Sequence, residues 1–126
     1  RAQTGYGSSM KILMVDDSDI TRELMRTFLQ DMGHQVVGEA DNGREAVTIF
    51  TEVKPDLVLL DLVMPGKTGL EALQEIRAID PAAKVVMVTA VQQDGMNQEL
   101  LAKGAIAILR KPFSYPEFAE IIERFS

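Results

Sequence analysis

The chain has no cysteine, a single histidine, and aromatic residues at only 6% of its 126 positions. Without cysteine there is no disulfide framework, no thiolate metal site and no cysteine nucleophile, and a reducing cytoplasmic setting fits. His34, following Gly33 in a turn, has no second histidine with which to share a metal and reads as a solvated loop residue. No apolar run approaches the roughly 18 residues needed to span a bilayer, and no charged start leads into an apolar stretch as in a signal peptide. A soluble, unexported protein with no membrane partner is expected. Basic residues are also in the minority, 13 against 19 acidic ones, for a formal charge of -6. Such a surface repels a phosphate backbone, so no direct nucleic-acid contact is expected.

What is present suits one compact domain: 46% hydrophobic and 25% charged residues over a length that supports a single sizeable core. Residues 1–9 (RAQTGYGSS) are small and polar without periodicity and read as a leftover of cloning, so the domain is expected to span residues 10–126. From Met10 onward, short apolar runs alternate with amphipathic stretches. Residues 12–15, 57–60, 85–88 and 105–109 are continuous apolar runs, as central strands covered on both faces require. Residues 35–40 are more polar, contain Gly38 and suit a sheet edge. Helical spacing appears over 18–32, 43–53, 69–79, 92–103 and 114–125. Ser18 and Ser114 stand at N-cap positions, and Gly33 and Gly104 where helices stop. Five strand-helix units with right-handed crossovers give an α/β fold with one open, doubly wound parallel sheet, and an eight-unit barrel is too long for this chain.

Four of the strands finish in a reactive polar residue: Asp16 and Asp17 after the first, Asp61 after the third, Thr89 after the fourth, Lys111 after the fifth. In open α/β sheets the crevice outside the carboxyl ends of the strands is where ligands bind, so these residues should share a pocket. Taken singly, each could be a turn or cap residue, as Asp19 is expected to be; four strand ends converging is a different matter. Three neighbouring carboxylates repel unless a cation sits among them. Oxygen donors without His or Cys select a hard ion, and Mg²⁺, with Mn²⁺ as a substitute, suits few carboxylates plus water and phosphate oxygens. An aspartate can then attack phosphorus, with Lys111 and the Thr89 hydroxyl supporting the phosphoryl oxygens.

The segments VDDSD, LLDLVMPGKTG, VMVTA and LRKPF resemble the receiver domains of two-component response regulators, most closely single-domain chemotaxis regulators of the CheY type, from Met10 to the end. The resemblance implies a flavodoxin-like sheet of order 2-1-3-4-5. It implies Asp61 as phosphoacceptor, Asp17 as direct Mg²⁺ ligand, Asp16 as ligand through water, and the Val63 carbonyl as a further ligand. Thr89 and Lys111 resemble the family's switch and phosphate-binding residues, and Lys111-Pro112 is expected to be cis. A histidine kinase would be the donor, and a downstream protein would meet the face of the fourth helix, fifth strand and fifth helix. Self-phosphorylation and dephosphorylation, not metabolite turnover, would be the chemistry.

Two departures stand out. Receivers usually carry Tyr or Phe three residues before the lysine, where this chain has Ile108, so the switch is expected to rest on Thr89 and its loop. Val63 and Val91 are apolar where many chemotaxis regulators carry polar side chains that orient the attacking water, so slow dephosphorylation is expected.

Other readings are weaker. Asp17-Ser18-Asp19-Ile20-Thr21 also resembles the first motif of haloacid-dehalogenase-like phosphatases, with Asp17 as nucleophile, but beyond Lys111 only Glu117, Glu120 and Glu123 are left for that family's later acidic pair. A flavin binder is disfavoured because carboxylates in the first loop would repel the cofactor phosphate. Gly66-Lys67-Thr68 lacks the earlier glycine of a P-loop, with no suitable helix start, and Gly5-Tyr6-Gly7 lacks the third glycine of a dinucleotide fingerprint. The seven methionines read as core filler.

Overall fold

A computed structural model describes residues 9–91 and 93–126. The segment expected to precede the domain thus lies outside the described residues except for Ser9, whose hydroxyl donates to the Gly33 carbonyl at 2.9 Å. Strands and helices alternate as β1 (Lys11–Val15), α1 (Asp19–Asp31), β2 (Gln35–Ala40), α2 (Gly43–Val53), β3 (Leu57–Asp61), α3 (Gly69–Ile79), β4 (Val85–Thr89), α4 (Asp94–Ala102), β5 (Ala107–Arg110) and α5 (Tyr115–Arg124). The strands pair in parallel in the order β2-β1-β3-β4-β5, the flavodoxin-like order that the resemblance implied.

Local chemistry sets the boundaries. The Ser18 hydroxyl accepts from Thr21 N–H and opens α1, while Ser114 with Glu117 and Thr68 with Glu71 form reciprocal capping boxes at α5 and α3. Beyond the ends of α1 and α4, Gly33 and Gly104 take the positive φ values of 87° and 114° that a side chain would disfavour. The Lys111-Pro112 peptide is cis.

Every residue of β3 and β4 is buried, because α2, α3 and α4 cover one face of the sheet and α1 and α5 the other. Leu13, Leu60, Met87 and Ile76 fill the first layer, and Ile12, Leu59, Leu29 and Phe118 the second. Full burial of side chains of this size contributes about 1.5–3 kcal/mol each. Met10, Met14, Met25, Met32, Met64 and Met87 are all buried, consistent with core filling.

Some expectations change. The run 105–109 has the pattern of a central strand, yet β5 starts at Ala107 and lies at the sheet edge; with a single strand neighbour, it leaves Ile108 half-buried and Arg110 exposed. Helix α4 is shorter than the spacing indicated, and its N-cap Gln93 makes no side-chain cap bond. His34 is not a solvated loop residue: it is buried, and its Nδ1 accepts from Met10 N–H at 3.0 Å, fastening the start of β1 to the end of α1. Burial holds its pKa below the usual value, in keeping with a neutral acceptor. Gly38 is a place of close approach as well as a weak strand residue, since a Cβ there would meet Ile49 Cγ2 at 2.7 Å. Residues 66–68 form a loop as expected, but a helix does begin beyond them, with Thr68 as its cap.

Candidate functional site

Parallel pairing brings the carboxyl ends of β1, β3, β4 and β5 to one edge of the sheet. Val15 pairs with Leu60 and Asp61 with Val88, so Asp16 comes level with Asp61 on one side and Thr89 stands one residue beyond it on the other. Thr89 pairs with Arg110, and its carbonyl accepts from Lys111 N–H at 2.9 Å, which sets Lys111 at the same edge.

Asp16, Asp17 and Asp61 each offer a carboxylate oxygen, and the three lie within 4.8 Å of one another. Asp16 is fully buried, Asp61 is 5% exposed and Asp17 is open to solvent. Lys111 supplies the opposing charge: its Nζ lies 2.7 Å from Asp16 Oδ2 and 3.5 Å from Asp61 Oδ1. Asp16 Oδ2 is buried and, apart from the Lys111 ammonium, has no hydrogen-bond donor. The other Asp16 oxygen accepts from Ser18 N–H at 2.9 Å. Burial first, and then the Asp16 carboxylate, push the Asp61 carboxyl up to about 6, against the pull of Lys111 and of Val63 N–H. A buried oxygen with no donor besides Lys111, inside an all-oxygen donor set of net negative charge, fits a hard divalent cation.

The Thr89 hydroxyl is buried and accepts from Val91 N–H at 3.0 Å, which leaves its proton available to an oxygen in the pocket. Val63 is 62% exposed on the loop after β3, and its N–H points weakly at Asp61 Oδ1 across 3.4 Å. Val91 is half-buried and lines, with Val63, Met64, Leu70 and Met96, an apolar groove of about 470 Å³ between that loop and α4. Ile108, opposite Met87, packs on the same layer as Val91 and Met96.

The strand-end residues singled out in the sequence are thus gathered at one edge, while Ile108 lies within β5 and packs on the face covered by α2, α3 and α4. Two further residues that the sequence pattern does not single out bear on this edge. A Cβ on Gly69 would fall 2.1 Å from the Asp61 carbonyl oxygen and 2.6 Å from Leu62 Cα, so only glycine lets α3 start against the backbone of Asp61. Gly69 N–H also donates to the Leu62 carbonyl at 2.8 Å. Arg22, on α1, donates from Nη1 to the Asp16 carbonyl at 2.5 Å. Neither contact has a local signature in the sequence.

The chain is similar to known proteins along most of its length. A family model for the response regulator receiver domain matches residues 12–123. Chemotaxis protein CheY of Listeria monocytogenes is 44% identical over 115 residues, 91% of this chain and 97% of that protein. CheY of Thermotoga maritima is 38% identical over 116 residues, 92% and 97% of the respective chains. Among solved structures, a chain of the CheX-CheY-BeF₃-Mg²⁺ complex of Borrelia burgdorferi superposes with a TM-score of 0.87 at 28% identity, covering 89% of this chain and 85% of that one. Vibrio cholerae CheY4 superposes with a TM-score of 0.86 at 30% identity, over 94% and 100%. These matches leave the haloacid-dehalogenase reading, with Asp17 as nucleophile, without support.

Proposed function

Because the chain belongs to the response regulator receiver family, we propose that Asp61 is its phosphoacceptor and that phosphorylation there switches a protein-binding surface. The observation that carries this reading is the burial of Asp61 between the Asp16 and Asp17 carboxylates and the Lys111 ammonium. A carboxylate so placed is held in one orientation, and the groups that would bear the charge of a transferring phosphoryl group stand around it.

Asp16, Asp17, Asp61 and the Val63 carbonyl would hold Mg²⁺. When bound, the ion neutralises charge on the phosphoryl oxygens. An Asp61 oxygen attacks phosphorus in line as the bond to the donor breaks. That bond is P–N in the phosphohistidine of a histidine kinase, whose imidazole keeps the electron pair, or P–O in a small acyl phosphate, which releases its carboxylate. Lys111 gives up its contact with Asp16 to meet one phosphoryl oxygen, and the Thr89 hydroxyl donates to another. The chain thereby catalyses its own modification and turns over no metabolite.

The downstream partner would meet the face made by α4, β5 and α5, and the similarity to CheY proteins supports an output in chemotaxis and a cytoplasmic setting. No described helix is long and apolar enough to cross a membrane, and the acidic surface argues against direct nucleic-acid contact. With Ile108 in place of an aromatic ring, Thr89 and the loop to α4 would carry the switch. Amide NMR with and without beryllofluoride checks this: unmoved Thr89 and Val91 signals contradict it. For the reaction itself, incubation with Mg²⁺ and acetyl phosphate should add one phosphoryl group to the wild type and none to Asp61→Asn. Equal labelling of both would overturn the assignment.

A further inference from the structure

We propose that Arg22 is a positioning residue for the cation site, holding the peptide unit that joins Asp16 to Asp17 so that both carboxylates face Asp61. The proposal rests on the reading of Asp16, Asp17 and Asp61 as Mg²⁺ ligands.

The Arg22 side chain is 15% exposed, and all three of its guanidinium nitrogens are engaged. Nη1 donates to the Asp16 carbonyl at 2.5 Å, Nε donates to Glu39 Oε1 at 3.1 Å, and Nη2 pairs with Asp19. Glu39, on β2, is gripped in turn by Arg26 at 2.7 and 2.8 Å. Arg26 first, and then Arg22, hold the Glu39 carboxyl below its usual range against its burial. Arg22 is therefore anchored to a strand on one side and to the first turn of α1 on the other.

The oxygen that Arg22 holds belongs to the planar peptide from which the Asp16 and Asp17 Cα atoms both project. Fixing that oxygen fixes the plane, and with it the direction of two neighbouring side chains. The other backbone ties on this turn are Asp16 N–H to the Ala40 carbonyl at 3.0 Å and Ser18 N–H to Asp16 Oδ1 at 2.9 Å, and the Lys111 ammonium meets the Asp16 carboxylate at 2.7 Å without touching its peptide. The second engages the Asp16 carboxylate itself, and neither acts on the peptide beyond Asp16. A planar fork with nitrogens aimed at three separate acceptors has no equivalent in the single ammonium of lysine.

Charge and geometry predict opposite signs. If Arg22 acted only as a nearby cation, its removal would relieve repulsion and tighten Mg²⁺ binding. If it positions the ligands, its removal weakens binding, by about tenfold as for other groups that orient metal ligands from behind.

The test is calorimetric titration of the whole chain with Mg²⁺. Arg22→Gln and Arg22→Lys should each weaken binding about tenfold, while Arg26→Gln, which shares Glu39 but does not touch Asp16, should stay within about twofold of wild type. Should Arg22→Gln fail to fold, Glu39→Gln carries the test, with weakening of about threefold expected from a loosened guanidinium. Unchanged or tighter binding in the Arg22 variants, rescue by lysine, or an equal loss in Arg26→Gln overturns the proposal. Asp17→Asn should abolish binding; if it binds as wild type does, the metal-site reading fails instead and the proposal falls with it.

Discussion

Lys111 Nζ stands 2.7 Å from Asp16 Oδ2, nearer than its 3.5 Å from Asp61 Oδ1, so in the unphosphorylated chain the ammonium neutralises a proposed metal ligand more closely than the proposed phosphoacceptor. Lys111→Ala should accordingly separate two properties. Mg²⁺ should bind about threefold more tightly once the competing cation is gone, while phosphorylation by acetyl phosphate should slow about 100-fold through loss of one donor to the phosphoryl group. Calorimetry and single-turnover labelling measure the two. A parallel fall in both would contradict the exchange of partners proposed for Lys111.

The raised pKa of Asp61 makes its charge destabilising in the metal-free protein. The folded value of about 6 lies above the ordinary 3.8, so the folded state binds the proton more tightly, and stability is lost as pH rises from about 4 through about 6. In chelator at pH 7, Asp61→Asn should be more stable than wild type by about 1–2 kcal/mol after allowance for solvent screening. The difference should vanish below about pH 4. Thermal unfolding across that range gives the comparison, and a wild type more stable than the variant at pH 7 would count against it.

Apolar Val63 and Val91 leave no side chain to align the water that attacks an acyl phosphate. Val63→Asn should shorten the lifetime of the phosphorylated protein by about three- to tenfold. Decay of the label after removal of the donor measures it; an unchanged or longer lifetime would point to another determinant.

Gly69 touches the backbone that carries Asp61. Gly69→Ala should destabilise the fold by about 3 kcal/mol, because the clash is with backbone atoms that cannot rotate away. Denaturant unfolding should show the loss, and a cost below about 1 kcal/mol would mean that α3 can start elsewhere.

The parts of this molecule legible in its sequence are those governed by neighbours along the chain. Continuous apolar runs marked β3 and β4, Ser18 and Ser114 marked helix starts, and the polar residue ending each of four strands marked the pocket. What was misread depends on partners distant in sequence. The run at 105–109 looks central until its lack of a second strand neighbour is known. His34 looks like a turn residue until the Met10 amide is found against it, 24 residues away. Gly69 and Arg22 each act on the backbone of a strand-end aspartate, a contact that no pattern of side-chain types announces.

The central claim is that Asp61, and no other carboxylate of the cluster, carries the phosphoryl group. Borohydride reduction of the chain after treatment with Mg²⁺ and acetyl phosphate converts an acyl-phosphorylated aspartate to homoserine, which peptide mass spectrometry locates. Homoserine at position 61 alone is the predicted result, and homoserine at position 16 or 17 would contradict it.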